Sequence, residues 1–256
     1  MKKLPSAARL ARIRERFASE PGVSVSELAA EFGVSEMTIR RDLAQLEGQS
    51  HIQRTHGGAV LTERMLLEFD YRDRRHANRD AKQAIAREAR KLVKPGQRLI
   101  LDNGTTSLEL ACLLRDGQNL TVITPSLAVA SELLDAPGVE VILLGGVIRR
   151  GSPDLTGPVT EHCLELFSAD IVFQGTDGIG PDGKLYNADL RLARVEKHMR
   201  RIAKRSVVLA DHSKVGRTAL ACSGSLADID TLIISPGAPA DLLRRFARLG
   251  AKIITA

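Results

Sequence analysis

Residues 23–43 read VSVSELAAEFGVSEMTIRRDL, with two adjacent arginines, Arg40 and Arg41, in the middle of a stretch with helical apolar spacing. The segment opens on Ser24 and, three residues later, Glu27, a capping box that satisfies orphan N–H groups at a helix start. Gly33 stands where a left-handed residue ends that helix. Val34 fills the corner, and Ser35 caps a second helix. Two short helices joined by a tight turn containing Gly form a helix-turn-helix.

On the second helix, at about 100° per residue, Ile39, Leu43 and Leu46 share one face while Met37, Arg41, Ala44 and Gln45 lie opposite, flanked by Thr38 and Arg40. The arginines therefore point outward. An exposed arginine pair is more commonly just solvated, and on an isolated helix that reading would stand. Here SHIQRTHGGAV (50–60) follows, with Ile52 to Thr55 extended, Gly57-Gly58 able to turn, and Arg54 and His56 near the tip, as in a wing laid along a DNA backbone. Outward Thr and Arg near the start of a helix can enter a major groove, where Arg reads guanine or neutralises phosphate. The residues expected to meet DNA are Ser35, Met37, Thr38, Arg40 and Arg41 from the helix, and Arg54, His56 and Gly57 from the wing.

The composition fits this reading without requiring it. The 256 residues are 43% hydrophobic but only 3% aromatic, with no Trp, so the core is aliphatic and base stacking is not the main chemistry. The formal charge of +6 is spread along the chain, with 14 Lys/Arg against 12 Asp/Glu in residues 1–80, so net charge does not establish nucleic-acid binding. Cys112, Cys163 and Cys222 are widely spaced in or beside apolar sequence and are expected as reduced core or near-core residues. The N-terminus has no secretory pattern, and no window approaches the roughly 18 apolar residues of a membrane span, so a cytoplasmic protein with no membrane partner is expected.

From residue 98 the rhythm changes. Seven short apolar runs, RLILD, LTVIT, VEVILL, DIVFQG, SVVLA, TLIIS and KIIT, alternate with amphipathic stretches such as 79–93, 126–135, 189–204 and 239–249. The expected fold is α/β: an N-terminal winged helix-turn-helix over 1–59, a linker over 60–77, and an open, mostly parallel Rossmann-like sheet domain over 78–256.

In that second domain, RLILDNGTTSLELACLL (98–114) reads as strand, tight turn and helix, the helix opened by Thr105, Thr106 and Ser107. Free N–H groups, helix dipole and three hydroxyls suit a phosphate or carboxylate; equally, the hydroxyls could serve only as caps. Asp102 ends the strand where open α/β sheets hold ligands. LLGGVIRR, FQGTDGIG and LADHSKVGR also place polar residues just after strands. Lys214 is the best single partner for a ligand phosphate, with Arg149, Thr176, Asp177 and Asp211 weaker, each alone more often a surface or capping residue. GIGPDG (178–183) matches a dinucleotide pattern by letter, but Pro181-Asp182-Gly183 reads as a turn with no helix opening there. The six histidines show no ligand-like spacing, so neither a metal site nor a cofactor is expected.

The segment VSVSELAAEFGVSEMTIRRDLAQLE with RTHGGAV resembles the winged helix-turn-helix of DeoR-family transcriptional regulators, in which TIRRDL and the wing HGG are characteristic. LDNGTT, VITPSLAVA, LLGGVIRRGSPDLTGP, FQGTDGIG and ADHSK extend the resemblance over nearly the whole chain. It implies an effector domain related in fold to sugar-phosphate isomerases, with Asp102, Gly104, Thr105, Thr106, Asp177 and Lys214 as its site. The family commonly has Asn at Pro125, Ser at His212, and a Thr-Thr pair and a glutamate where KLYNADLRLA shows Leu185, Tyr186 and Leu192, so an altered ligand-lining segment is implied. The function expected is a transcriptional repressor of a carbohydrate operon. As a homo-oligomer it would bind double-stranded operator DNA and be released by a phosphorylated sugar or similar anionic effector. The alternative is an isomerase-like enzyme fused to a DNA-binding domain, but Asp177 and Asp211 lack an evident second catalytic acid, so no catalytic residues are assigned.

Overall fold

The computed structural model describes residues 6–19, 23–48, 52–54, 58–61, 71, 73–149 and 151–256. The chain divides into two compact units, Met1–Asp73 with Arg150–Ser152, and Arg74–Arg149 with Pro153–Ala256.

The first unit contains helices α1 (Ser6–Ser19), α2 (Val25–Phe32) and α3 (Glu36–Gly48) and strands β1 (Val23–Ser24), β2 (Ile52–Arg54) and β3 (Gly58–Leu61). The capping box at α2 forms: Glu27 N donates to Ser24 Oγ at 3.2 Å, and Ser24 N donates to Glu27 Oε2 at 2.9 Å. Gly33 adopts φ 62°, a left-handed conformation that suits Gly best, and turns the chain into α3. Ser35 caps α3, its Oγ accepting from Thr38 N at 3.3 Å. Ile39, Leu43 and Leu46 are buried with Leu10, Ile13, Val25, Leu28 and Phe32 in one cluster, and Val34 packs against it. The three strands form an antiparallel sheet in the order β1-β3-β2, so the two arms of the expected wing pair. His56 and Gly57 lie outside the described residues, as do most of the expected linker and the Arg54 side chain. Residues 73–76, expected to be without period, are helical.

In the second unit all seven apolar runs become strands: β4 (Arg98–Leu101), β5 (Leu120–Thr124), β6 (Val139–Leu143), β9 (Ala169–Gln174), β12 (Ala203–Ala210), β14 (Thr231–Ile234) and β15 (Lys252–Thr255). They form one sheet in the order β15-β14-β12-β9-β4-β5-β6, every neighbouring pair parallel. Its helices are α4 (Arg79–Arg90), α5 (Thr105–Cys112), α6 (Leu127–Leu133), α7 (Pro158–Glu165), α8 (Leu190–Ile202) and α9 (Ala240–Ala247). Ile100, Ile123 and Val172 pack with Leu164 of α7 and Val195 and Met199 of α8, while Val208, Leu232 and Ile234 pack with Phe246 of α9. Two features escaped the pattern: the ribbon β7 (Val147–Ile148) with β8 (Leu155–Thr156), and an antiparallel sheet of β10 (Gly178–Ile179), β11 (Lys184–Asn187) and β13 (Ala221–Ser225). GIGPDG lies in the β10–β11 hairpin, where Gly183 at φ 80° donates its N–H to Gly180 O at 2.8 Å.

The cysteines need a correction. All three are free, but Cys112 and Cys222 are exposed and Cys163 is half-buried. Cys112 ends α5, and Cys222 occupies an outward position of the small sheet. No helix among the described residues is long and apolar enough to cross a membrane.

The chain order around the sheet reverses between β4 and β9. From β4 it runs outward through β5 to β6, then returns to β9 on the other side and continues through β12 and β14 to β15. Such a reversal leaves a crevice at the carboxyl ends of the two central strands, the usual ligand position in open α/β sheets.

Candidate functional site

On α3 the apolar face is fully covered and the opposite face is open. Met37 is 61% exposed, Arg40, Arg41, Ala44 and Gln45 are exposed, and Thr38 is half-buried. Arg40 Nη2 lies 3.5 Å from Glu36 Oε2 one turn earlier, an exposed pair of little energetic weight. Among the described residues Arg41 has no ion-pair partner, so its guanidinium is available to an incoming anion or base edge. The third charge of the run, Asp42, turns inward: Arg9 of α1 donates to it from Nε at 2.6 Å and from Nη2 at 3.1 Å. Both side chains are buried, and the carboxylate raises the pKa of Arg9 further. The pair ties α1 to the helix that carries the outward arginines.

In the second unit a cleft of about 680 Å³, including its open mouth, occupies the β4/β9 crevice. Asp102, Gly104, Thr105, Thr106, Asp177 and Lys214 all line it, as do Thr176 and Asp211. Ser107 and Arg149 do not. Ser107 is fully buried within α5, and Arg149 is buried against Asp154 at 3.0 Å, where Asn103 Nδ2 also donates.

Asp102 is 1% exposed and accepts from Gly104 N at 2.9 Å and Gly175 N at 2.6 Å. Burial pushes its carboxyl above the usual range. With both oxygens engaged by backbone, Asp102 clasps the loop after β4 to the loop after β9. A Cβ on Gly104 would come within 3.0 Å of Asp102 Oδ1, so the clasp needs glycine there. Gly104 is the N-cap of α5 and provides no side-chain cap. Thr105 Oγ1 donates to Arg74 O at 3.4 Å, and the helix start, with Thr105 and Thr106, lines the cleft.

Asp177 accepts from Ala188 N at 2.9 Å and pairs with Arg74 Nη1 at 3.1 Å. Lys214 sits on a single 3-10 turn, His212–Lys214, capped by Asp211 through Ser213 N at 2.9 Å. Burial alone would raise the Asp211 pKa, but Ser213 and Lys214 outweigh it and hold it low. Asn78 Nδ2 also donates to Asp211, at 3.0 Å. Arg74, Ala77 and Asn78 thus form one wall of the cleft.

Three lining residues escaped the sequence reading. Lys82 is 4% exposed, donates to Ala77 O at 2.6 Å and to Arg74 O, and is lowered to about 8 by burial. Asn187 Nδ2 donates to Glu196 Oε1 at 2.6 Å. Burial above all, then the field of Asp102, pushes the Glu196 carboxyl up to about 8. Their signal was a charge inside an apolar stripe: Lys82 among Ile85, Ala86 and Ala89, and Glu196 among Leu192, Ala193 and Met199. Among the described residues no cluster of His, Cys, Asp or Glu could hold a metal ion.

Residues 9–65 match the DeoR-like helix-turn-helix domain and residues 77–235 match the DeoR C terminal sensor domain. The chain belongs to the DeoR family. Three curated relatives are similar to this DeoR-family chain over most of their length. A protein of Escherichia coli O157:H7 whose name ties it to transcriptional repression of the aga operon is 34% identical, over 97% of this chain and 93% of its own. The regulator GlpR of Haloferax volcanii is 34% identical, over 97% of each chain. The glycerol-3-phosphate regulon repressor of E. coli K12 is 32% identical, over 87% of this chain and 88% of its own. This DeoR-family protein is accordingly a DNA-binding transcriptional regulator, and the reading as a fused isomerase-like enzyme gives way to it.

Proposed function

We propose that the protein is a cytoplasmic repressor whose hold on operator DNA is released by a small phosphorylated sugar or similar anion bound in the second unit. The observation that carries this reading is the β4/β9 cleft, where a helix start without a side-chain cap opens toward the same space as Lys214. The amides of the first turn of α5 and the Lys214 ammonium together complement a phosphate, with Thr105 and Thr106 as further donors. That one relative is named for the glycerol-3-phosphate regulon supports an effector of this class.

On DNA, Met37, Thr38, Arg40 and Arg41 of α3 meet the major groove while Ser35, Arg54, His56 and Gly57 meet the backbone. The protein acts as a homo-oligomer that presents two or more such helices to successive grooves. The domain limits are 1–59 for DNA binding, 60–77 for the linker and 78–256 for sensing. The link between them runs through Arg74 and Ala77 at the end of the linker region, which with Asn78 form a wall of the cleft. An effector phosphate competes with Asp177 for Arg74, and the segment it holds responds. DNA and effector affinities are then coupled reciprocally.

The test is fluorescence anisotropy of the full-length protein on DNA from upstream of its own gene, at fixed salt, against a scrambled duplex. The reading expects a clear preference for the upstream sequence; equal affinity for the two duplexes would refute operator recognition.

A further inference from the structure

Among the described residues, two buried acceptor oxygens on the α8 and β11 side of the cleft have no donor. Glu196 is 3% exposed and lines the cleft, with Oε1 taken by Asn187 Nδ2 at 2.6 Å and Oε2 without a hydrogen-bond partner. Asn187, also 3% exposed and lining, leaves its Oδ1 unpartnered. Burial without a partner at Oε2 favours the protonated carboxyl, and a ligand cation at that oxygen would favour the carboxylate instead.

The charges around Glu196 decide what kind of donor that is. Asp102 and Asp177 lie close enough to raise the cost of its ionisation, and Arg200, one turn along α8, opposes them. Arg200 does not close the gap: its Nη2 donates to Ser223 O on β13, its buried Nη1 has no hydrogen-bond partner, and no salt bridge to Glu196 forms among the described residues. This side of the cleft is acidic, whereas the α5 start and Lys214 supply the complement to an anion. A ligand hydroxyl offers one donor and adds lone pairs among carboxylates; an ammonium offers three donors, no acceptor and the opposite charge.

We propose that the cleft selects a phosphorylated ligand that also carries a protonated amine, the ammonium pairing with Glu196 and the phosphate held at the α5 start and Lys214. This rests on the cleft being the anion-sensing site. Leu192 and Glu196, one turn apart on α8, both line this wall, and Glu196 supplies its carboxyl.

The experiment is calorimetric titration of the full-length protein with matched pairs that differ only in amine against hydroxyl. The pairs are 2-amino-2-deoxyhexose 6-phosphates with the corresponding hexose 6-phosphates, and O-phosphoethanolamine with glycol monophosphate. In one pair at least, the amine member should bind at least about tenfold more tightly. In E196Q, which keeps the shape but cannot ionise to meet a bound ammonium, that advantage should fall to within about threefold while the hydroxyl member binds as before. Equal binding of both members of every pair to the native protein would overturn the amine assignment and leave the phosphate site standing. Binding by none of the compounds, including the hydroxyl members, would overturn both. The native comparison alone decides the proposal if E196Q does not fold.

Discussion

Arg9 Nε lies 2.6 Å from Asp42 Oδ2, joining α1 to α3 through an ion pair buried at both ends. In a unit this small, an ion pair inside the apolar cluster fixes the roll of α3 and hence the direction in which Arg40 and Arg41 point. Removing Asp42 takes away the Nε and Nη2 hydrogen bonds from the buried Arg9 and the tie between the two helices, which destabilises the unit. Asp42→Ala should therefore unfold the first unit at a temperature where the second still melts normally, as read by calorimetry and circular dichroism. A single unchanged transition would show that the pair is dispensable.

Arg41→Ala tests the outward face. Operator affinity should drop by roughly 1–3 kcal/mol, and specificity relaxes if the contact is to a base. A contact to phosphate instead lowers the salt slope by about one while leaving sequence preference intact. Anisotropy titrations at several salt concentrations separate the two, and unchanged affinity at every salt would remove Arg41 from the interface.

Lys214→Ala should leave operator binding unchanged and blunt the response to effector. Lys214 is partly exposed on a short turn capped by Asp211, so its truncation costs the fold little. Normal release by effector in the variant would exclude Lys214 from the site.

Glu196→Gln carries a pH signature. With its folded pKa raised to about 8 from an ordinary 4.5, Glu196 stays protonated in the folded protein over a range where the unfolded chain ionises. Its contribution is neutral below the unfolded pKa. It then grows more destabilising by roughly 1.4 kcal/mol per pH unit and levels off above the folded pKa. The glutamine variant should thus gain melting temperature over the native protein at pH 8 and lose most of that gain near pH 5. A difference independent of pH would mean that Glu196 titrates as an ordinary carboxylate.

The main elements were legible because local chemistry and periodicity agree in this chain. Ser24, Glu27, Gly33 and Ser35 each do in space what their type and spacing imply, and the seven strands of the sheet are the seven apolar runs. The antiparallel sheet of β10, β11 and β13 was not legible, because its strands are two to five residues long and are paired by tertiary contact rather than marked by alternation. Helix α7 was hidden for a similar reason: eight residues opening on Pro158 look like a loop until they pack. Arg149 shows the limit of reading a site from strand ends, since its charge is satisfied by Asp154 five residues later. Asp42, Lys82 and Glu196 were missed because each is a charge on a buried stripe, and sequence alone does not reveal its partner.

Thermodynamic reciprocity tests the proposed coupling of effector and operator binding most directly. Operator affinity is measured by anisotropy with and without a phosphorylated compound that binds the protein. The affinity for that compound is then measured with and without saturating operator, at the same salt. With coupling, both affinities weaken by the same factor, of about 5–150-fold for a typical coupling. A compound that binds in the second unit yet leaves operator affinity unchanged, with its own affinity unaffected by DNA, would contradict it.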